Sequence, residues 1–301
     1  MVTHVESRGT TKKRFVRAYS PSHITGFFMI CDNKNPLYKG STGAGIVLDA
    51  GCVSEVSLNS ARTELRINGI EEEAGTTKYV VDSMIEKCEH RVNVTVSTNF
   101  KIPVGCGFGA SGAGALSTAL ALNELLSLNM TLNQVAQIAH IAEVENSTGL
   151  GDVIAEVYGG IVIRRKPGPP GIGMIDRVPA LYTSEQKISY VVFGKKRTKA
   201  VLADGSMHRS INKAGKAALK ELMKNPDLDN FMRVSRNFSL RSGVISDKSR
   251  DAIEAVDAEG KVASVAMLGE TVFVFGDSEA LKEFGDVKES RISAVGAGRT
   301  Q

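Results

Sequence analysis

The sequence predicts a two-domain protein of the α/β (α+β) class, and three observations support this prediction. The first half contains short β-strand patterns separated by glycine, asparagine and aspartate. A run rich in proline and glycine, Lys166–Gly173, then interrupts the 301-residue chain. Beyond this run, helical patterns alternate with strand patterns, as expected for a second α+β unit. We therefore predict an N-terminal domain over 14–166 and a C-terminal domain over 174–301.

Composition and charge are those of an ordinary globular protein, with 42% hydrophobic and 23% charged residues. The formal net charge of +4 arises in the first 17 residues, and the rest of the chain carries equal numbers of basic and acidic residues. Residues 1–13 lack apolar periodicity and are predicted to form a disordered basic tail. Because the excess charge is confined to the first 17 residues, we expect no nucleic-acid partner.

The apolar runs bear on membrane association, and the cysteines bear on the compartment of the protein. No stretch offers the eighteen uninterrupted apolar residues of a membrane span, and the basic tail lacks the apolar segment of a signal peptide. The four cysteines are scattered without a CxxC pair, which gives little support to a zinc site or a disulfide framework. A cytoplasmic protein without a membrane partner is expected.

The elements of the first half are predicted in chain order. Strand patterns occupy 15–19, 45–48, 52–58, 63–67 and 91–98, and the last of these alternates valine with polar residues. A glycine-rich loop at 103–114 leads into a buried helix that ends near residue 128. Thr131 and Gln134 form a capping box that opens a second helix. That helix breaks at 149–152, and a strand follows at 161–164.

The second half contains strand patterns at 188–193, 262–267 and 271–275. Between them lie helical patterns at 207–223, 228–240 and 248–256. No internal repeat is visible.

The glycine-rich loop is the strongest chemical signal in the chain. Backbone N–H groups of such a loop, feeding a helix N-terminus, form a binding site for anions such as phosphate. A P-loop is excluded because the segment 105–116 contains no lysine. The segment 107–112 satisfies the GxGxxG pattern of dinucleotide-binding proteins, but the acidic residue expected about 20 positions later is missing.

A third pattern fits the loop better. Pro103-x-x-x-Gly107-Phe-Gly-Ala-Ser111-Gly-Ala-Gly resembles the phosphate-binding motif of the GHMP kinases, the galactokinase, homoserine kinase and mevalonate kinase superfamily. Segments 19–26, 149–152 with the following Gly159-Gly160, and 262–269 resemble the other family motifs in the expected order. The resemblance extends from about Arg14 to the end. It implies the two-domain GHMP kinase fold with a ferredoxin-like C-terminal domain, ATP as phosphoryl donor, and Mg²⁺.

Within the superfamily, several segments are similar to archaeal pantoate kinases, namely 22–28, 35–45, 149–153 and 266–270. This similarity implies ATP-dependent phosphorylation of the 4-hydroxyl of (R)-pantoate to 4-phosphopantoate in archaeal coenzyme A biosynthesis, by a homodimer. Two alternatives stay open. One is a kinase for another small alcohol such as homoserine or mevalonate, and the other is a non-catalytic GHMP-like ligand-binding protein.

The resemblance assigns catalytic roles to three residues. Ser111 matches the serine that contacts magnesium or phosphate, and Glu143 is the expected magnesium carboxylate, with Glu145 as its competitor. Asp152 matches the aspartate beside the acceptor hydroxyl, where it accepts the proton or orients the nucleophile. The nucleotide-binding residues implied by the loop motif are Pro103, Gly105, Gly107, Phe108, Gly109, Ala110, Ser111, Gly112 and Ala113.

The acceptor site is expected to contain a cation, because pantoate carries a carboxylate. The resemblance points to Arg164 for this role. Further substrate contacts are predicted at Ser22, His23, His140 and Thr198. The first motif departs from mevalonate and galactose kinases, which carry lysine or arginine where this chain has Ser22-His23.

Overall fold

The computed structural model describes residues 15–178, 186–195, 201 and 204–300. In these residues the chain forms an eight-stranded and a four-stranded sheet. The strands are β1 Val16–Cys31, β2 Gly40–Asn59, β3 Glu64–Ile67, β4 Ile70–Glu71, β5 Asn93–Phe100, β6 Ile161–Lys166, β7 Met174–Val178, β8 Lys187–Gly194, β9 Ala263–Val265, β10 Glu270–Phe275, β11 Lys288–Arg291 and β12 Gly298–Arg299. The helices are α1 Gly75–Ile85, α2 Ala110–Leu125, α3 Leu132–Asn146, α4 Asp152–Tyr158, α5 Gly205–Leu222, α6 Leu228–Ser242 and α7 Asp247–Ala258.

The first sheet is built around two long antiparallel strands, β1 and β2. The residues of β2 near its start pair with β6, and those of its second half pair with β5. The two short strands predicted at 45–48 and 52–58 are therefore parts of one strand, with an irregular register near Pro21 and Gly51. Because β2 has different partners at its two ends, the sheet divides there, and the gap holds the candidate site.

The helices of the first domain lie against this sheet. Most of the alanine, glycine and leucine residues of α2 are buried, because the helix packs on β1 and β2 and against α1 and α3. The predicted capping box is confirmed, since Thr131 accepts from the Gln134 backbone and the Gln134 side chain accepts from Thr131. Neither α1 nor the short α4 was predicted. Helix α4 begins directly at Asp152, which places this carboxylate in the first helical turn.

The second sheet has the order β11-β8-β10-β9 and is covered by α6 and α7. The predicted strands and helices of this half are confirmed, and β7, β11 and β12 are additional. The two halves share one apolar core, in which the rings of Phe27 and Phe28 lie 6.4 and 5.8 Å from that of Phe238. This joint core holds the glycine loop against the second half.

Both ends of the second half return to the first sheet. Strand β7 pairs with β6, and β12 pairs with β1. Between β11 and β12 the chain crosses α4, where the amide of Ala297 donates to the carbonyl of Glu156. The first sheet thus extends past Lys166, while the limits 14–166 and 174–301 stay a prediction. No described helix has the length and apolarity needed to cross a membrane.

Candidate active site

A cavity of about 710 Å³ lies where the first sheet divides. Its walls are formed by β1, the glycine loop, the first turns of α1 and α2, the loop between α3 and α4, β6, and residues 267–268. Three groups with distinct chemistry open into this space, namely the start of α2, the carboxylate of Asp152 and the guanidinium of Arg164. The cavity is large enough for a small-molecule ligand of several functional groups.

The glycine loop is shaped for close backbone approach. Gly105, Gly107 and Gly109 have φ values of 82°, 94° and 62°, in the left-handed region that favours glycine. Gly109 is the N-cap of α2 and has no side chain, so the first-turn amides of α2 find no side-chain acceptor at the cap position. A helix start with free N–H groups and partial positive charge is a binding site for phosphate. The glycine loop therefore has the geometry that is expected of an anion site.

A serine and a carboxylate meet beside this helix start. The hydroxyl of Ser111 donates to Oε1 of Glu143 over 2.7 Å. The Glu143 side chain is fully buried, and its Oε2 has no hydrogen-bond partner among the described residues. Burial and the nearby Asp152 raise the pKa of Glu143 well above its ordinary value, against the lowering effect of the Ser111 hydrogen bond. An orphaned buried carboxylate oxygen next to a hydroxyl fits a hard divalent cation such as Mg²⁺.

On the opposite side, Asp152, His23 and Arg164 form a continuous chain of contacts. Nδ1 of His23 lies 2.7 Å from Oδ1 of Asp152, and Nε2 of His23 lies 3.3 Å from Nη1 of Arg164. A guanidinium only donates, so Nε2 accepts and Nδ1 carries the proton that is donated to Asp152. Burial lowers the pKa of His23, against the effect of Asp152. The ring is therefore neutral, and its tautomer is determined by its two neighbours.

Arg164 is a buried cation that faces the cavity. Its side chain is 1% exposed, its Nη2 lies 3.4 Å from Oγ1 of Thr25, and its Nε has no partner among the described residues. Burial lowers the pKa of Arg164 to about 10, which leaves it charged at neutral pH. A buried guanidinium with an unused donor is suited to bind a carboxylate.

Comparisons with known proteins identify the family. The model of the GHMP kinases N terminal domain matches residues 76–160. The pantoate kinase of Methanocaldococcus jannaschii is 37% identical over 266 residues, which is 88% of this chain and 94% of the relative. The pantoate kinase of Thermococcus kodakarensis is 38% identical over 276 residues, 89% of this chain and 90% of the relative. The chain belongs to the pantoate kinase family.

The pantoate kinase family assignment agrees with the fold. A solved structure described as a phosphotransferase related to the CoA biosynthesis pathway superposes with a TM-score of 0.84 at 32% identity. The superposition covers 95% of this chain and 98% of the other. The two-domain GHMP kinase fold expected from the glycine loop is confirmed.

Within this pantoate kinase fold, some predicted site residues do not reach the cavity. Ser22 is buried and donates to the carbonyl of Ala50, and His23 is buried behind Asp152 and Arg164, so neither is among the described residues that line the cavity. His140 is not among them either, because its Nε2 lies 3.2 and 3.0 Å from the carbonyls of Pro36 and Lys39. His140 thus holds the segment between β1 and β2. Thr198 lies outside the described residues.

The loop residues that were predicted to bind the nucleotide differ in whether they line the cavity. The ring of Phe108 is buried and packs edge-on against Tyr190, with ring centroids 4.9 Å apart. Pro103, Gly112 and Ala113 support the loop and do not line the cavity among the described residues, whereas Gly105, Gly107, Gly109, Ala110 and Ser111 do. Glu145, the alternative to Glu143, is exposed on α3. The structure therefore brings Glu143, rather than Glu145, to Ser111.

Sequence reasoning missed one residue, Glu156. It lies on α4 four residues after Asp152, and both of its carboxylate oxygens are buried without a hydrogen-bond partner among the described residues. Its spacing from Asp152 would have indicated a common face, had a helix been predicted there.

Proposed function

We propose that this protein is an ATP-dependent kinase that phosphorylates the 4-hydroxyl of pantoate, a step of coenzyme A synthesis. The observation that carries the proposal is that one cavity contains the glycine loop with the start of α2, Asp152, and a buried guanidinium linked to Asp152 through His23. Such an arrangement fits a donor phosphate and an acceptor with both a hydroxyl and a carboxylate. Pantoate has both groups.

The phosphates of the nucleotide are proposed to lie over the glycine loop. Amides of the first turn of α2 would bind their oxygens, and the left-handed glycines let the backbone approach closely. Ser111 and Glu143 would hold the magnesium ion, because the Ser111 hydroxyl contacts Oε1 of Glu143 and Oε2 has no hydrogen-bond partner among the described residues. Magnesium, when bound, neutralises the negative charge of the transferring phosphoryl group.

Asp152 is proposed to orient the acceptor hydroxyl and to receive its proton. Its side chain is 20% exposed, and Oδ1 is occupied by the His23 hydrogen bond. The hydrogen bond from His23 to Oδ1 fixes the carboxylate and thereby sets the position of its second oxygen, Oδ2. The acceptor oxygen forms a bond to the γ-phosphorus, the bond to the β–γ bridging oxygen breaks with release of ADP, and the proton moves to Asp152.

Arg164 is proposed to bind the carboxylate of pantoate. Its unpartnered Nε and its position in the cavity wall leave donors for an anionic group. Because His23 contacts both Arg164 and Asp152, the carboxylate and the hydroxyl of one acceptor would be held at a set separation. Homoserine and mevalonate also carry a carboxylate and a hydroxyl, and this separation would discriminate among the three acceptors.

The oligomeric state and compartment belong to the same proposal. We infer a homodimer in the cytoplasm, from the pantoate kinase resemblance and the scattered cysteines, of which Cys52 and Cys106 are buried. Light scattering coupled to size-exclusion chromatography would measure the mass in solution, and a monomer would contradict the inferred dimer.

The deciding experiment is a panel of acceptors with purified protein. ADP release is measured with pantoate, homoserine and mevalonate, and the phosphorylated product is located by phosphorus NMR. We expect ADP release with pantoate and phosphate on its 4-oxygen. Turnover with homoserine or mevalonate alone would favour another small-alcohol kinase, and binding of ATP without turnover on any acceptor would favour a non-catalytic protein.

A further inference from the structure

A second cavity, of about 610 Å³, lies between α5 and α6 in the second half of the chain. None of the described residues that line it also lines the candidate active site. The proposed kinase mechanism therefore leaves this cavity, which we call the helix groove, without a role.

Polar contacts between the two helices frame the helix groove at its ends. At one end the hydroxyl of Ser210 on α5 donates to the carbonyl of Arg241 on α6 over 3.4 Å. At the other end Nη2 of Arg233 on α6 lies 3.0 Å from Oε1 of Glu221 on α5. The two helices thus run antiparallel, and the groove occupies the space between these contacts.

The floor of the helix groove is apolar and belongs to a packed region. On α5 the lining residues include Ala214, Ala217 and Ala218, whose small side chains leave room for a ligand. Opposite them lies Phe238 of α6, which is 1% exposed and whose ring lies 5.8 Å from that of Phe28 in the joint core. Because the core fixes Phe238, the floor is formed before a ligand arrives, which lowers the cost of binding.

The rim of the helix groove is basic. Lys213, Arg233 and Arg241 line it, and Glu221 is the one acid among the described residues that do so. Glu221 pairs with Arg233. Lys213 and Arg241 have no ion-pair partner in the described part of the chain. The uncompensated positive charge therefore lies towards the Ser210 end.

The two unpaired cations indicate the kind of anion that fits. Lys213 lies three residues after Ser210 and so shares a helix face with it, and Ser210 contacts the backbone of Arg241. An ammonium and a guanidinium therefore approach this end of the groove from two helices. A guanidinium alone satisfies both oxygens of a carboxylate, whereas the three terminal oxygens of a phosphate group can accept from both cations at once.

We propose that the helix groove binds a small phosphate monoester. The phosphate lies between Lys213 and Arg241, and the carbon part of the ligand covers the floor at Ala217 and Phe238. This proposal does not rest on the kinase reaction, because the two cavities have no lining residue in common among the described ones.

The test is a nuclear magnetic resonance titration of the full chain with phenyl phosphate, because the shifts of backbone amides locate the ligand. We expect amides of α5 and α6 to shift. Inorganic phosphate should bind there about fivefold more weakly, since it has no apolar part. Benzoate should bind about tenfold more weakly, since a carboxylate uses one of the two cations.

Variants test charge and shape separately. K213Q and R241Q each remove one cation and should raise the Kd of phenyl phosphate about tenfold. A217L keeps both cations but fills the floor, and it should raise the Kd to a similar degree. The matched control is K216Q, at an exposed lysine of α5 that does not line the groove, which should change the Kd less than about twofold.

Three results would overturn the proposal. Shifts confined to the glycine loop and α2, or no shifts of α5 and α6 at up to about 10 mM phenyl phosphate, would show that the groove does not bind the probe. Equal losses in K213Q and K216Q would indicate attraction by general surface charge. Wild-type binding in A217L would place the phosphate outside the groove. These substitutions lie at exposed positions, and circular dichroism checks that each variant is folded.

The same titration with AMP and with 4-phosphopantoate distinguishes two sources of the monoester, a nucleotide and the product of the proposed reaction. The compound that shifts the amides of α5 and α6 at the lower concentration is the better candidate for the ligand.

Discussion

The two sides of the candidate site hold their ionisable groups differently. On the proposed acceptor side, defined by Asp152, His23 and Arg164, each group contacts the next through distances of 2.7 and 3.3 Å. On the proposed phosphate side, defined by Ser111, Glu143 and Glu156, three carboxylate oxygens are buried without hydrogen-bond partners among the described residues. The acceptor side therefore has its charges arranged in advance, while the phosphate side has an acidic surplus that a cation would compensate.

This difference indicates which kind of change each side tolerates. A network of matched donors and acceptors is sensitive to geometry, since the loss of one member leaves the others unpaired. A surplus of acid is sensitive to protonation and to metal, since both reduce the negative charge. Substitutions on the acceptor side should therefore have the larger effects on turnover.

The largest effect is expected for D152N. Asparagine keeps the shape and can still accept the His23 hydrogen bond through its oxygen, but it cannot receive a proton. We expect kcat to fall about 10³-fold, within the range for a general base, with an unchanged circular dichroism spectrum. ADP release with pantoate measures the effect, and D176N on the exposed face of β7 is the control. Wild-type turnover in D152N would contradict the role of Asp152.

The next effect is expected for R164K. Lysine keeps the charge but loses the planar pair of donors that binds a carboxylate. We expect KM for pantoate to rise about thirtyfold, equivalent to about 2 kcal/mol, while KM for ATP changes less than about twofold. The neighbouring Arg165 is exposed, and R165K provides the matched comparison. An increase in both KM values would place Arg164 outside the acceptor site.

A smaller effect is expected for H23Q. Glutamine fills part of the ring volume but cannot bond Asp152 and Arg164 in the same geometry. Loss of one hydrogen bond to a carboxylate should lower kcat about tenfold. Steady-state kinetics with H90Q, an exposed histidine, as control measures this. If H23Q raises only KM for pantoate, His23 supports Arg164 and not Asp152.

The last effect concerns metal affinity instead of turnover, and it is a pH dependence on the proposed phosphate side. The raised pKa of Glu143 means that protons compete with metal above the ordinary pKa of glutamate. Mn²⁺ affinity should therefore weaken as pH falls, by up to about tenfold per pH unit for one displaced proton. Isothermal titration at several pH values measures the slope. In E143Q the slope should be flat, and an equal slope there would assign the proton to another group.

Local patterns predicted much of this architecture. The glycine loop, the helix after it and the capping box at Thr131 depend on neighbouring residues, and each is present. The family resemblance assigned Ser111 and Glu143 to the metal, with Glu145 as the alternative to Glu143, but it did not predict their contact or the burial of Glu143. The periodicity of one helix cannot show which of its faces will be covered by other elements of the fold.

The remaining errors come from contacts between distant segments. The predicted strand at 15–19 is the start of β1, whose later residues include polar side chains buried by the site itself, such as His23. The alternation of polar and apolar residues breaks down at these buried polar positions. The strand predicted from the sequence therefore ends before β1 does. Helix α4 has only seven residues and follows a glycine, so periodicity could not indicate it. Glu156 was missed for this reason.

The returning C-terminal segment has a practical consequence for protein engineering. The amide of Gly160 donates to the carbonyl of Ser293 over 2.6 Å, and that of Ala297 donates to the carbonyl of Glu156 over 2.9 Å. The residues that follow Arg291 therefore support α4, the helix that carries Asp152. Deletions after Arg291, or bulky fusions at the C-terminus, should loosen that helix and lower catalytic efficiency, even though they lie outside the cavity.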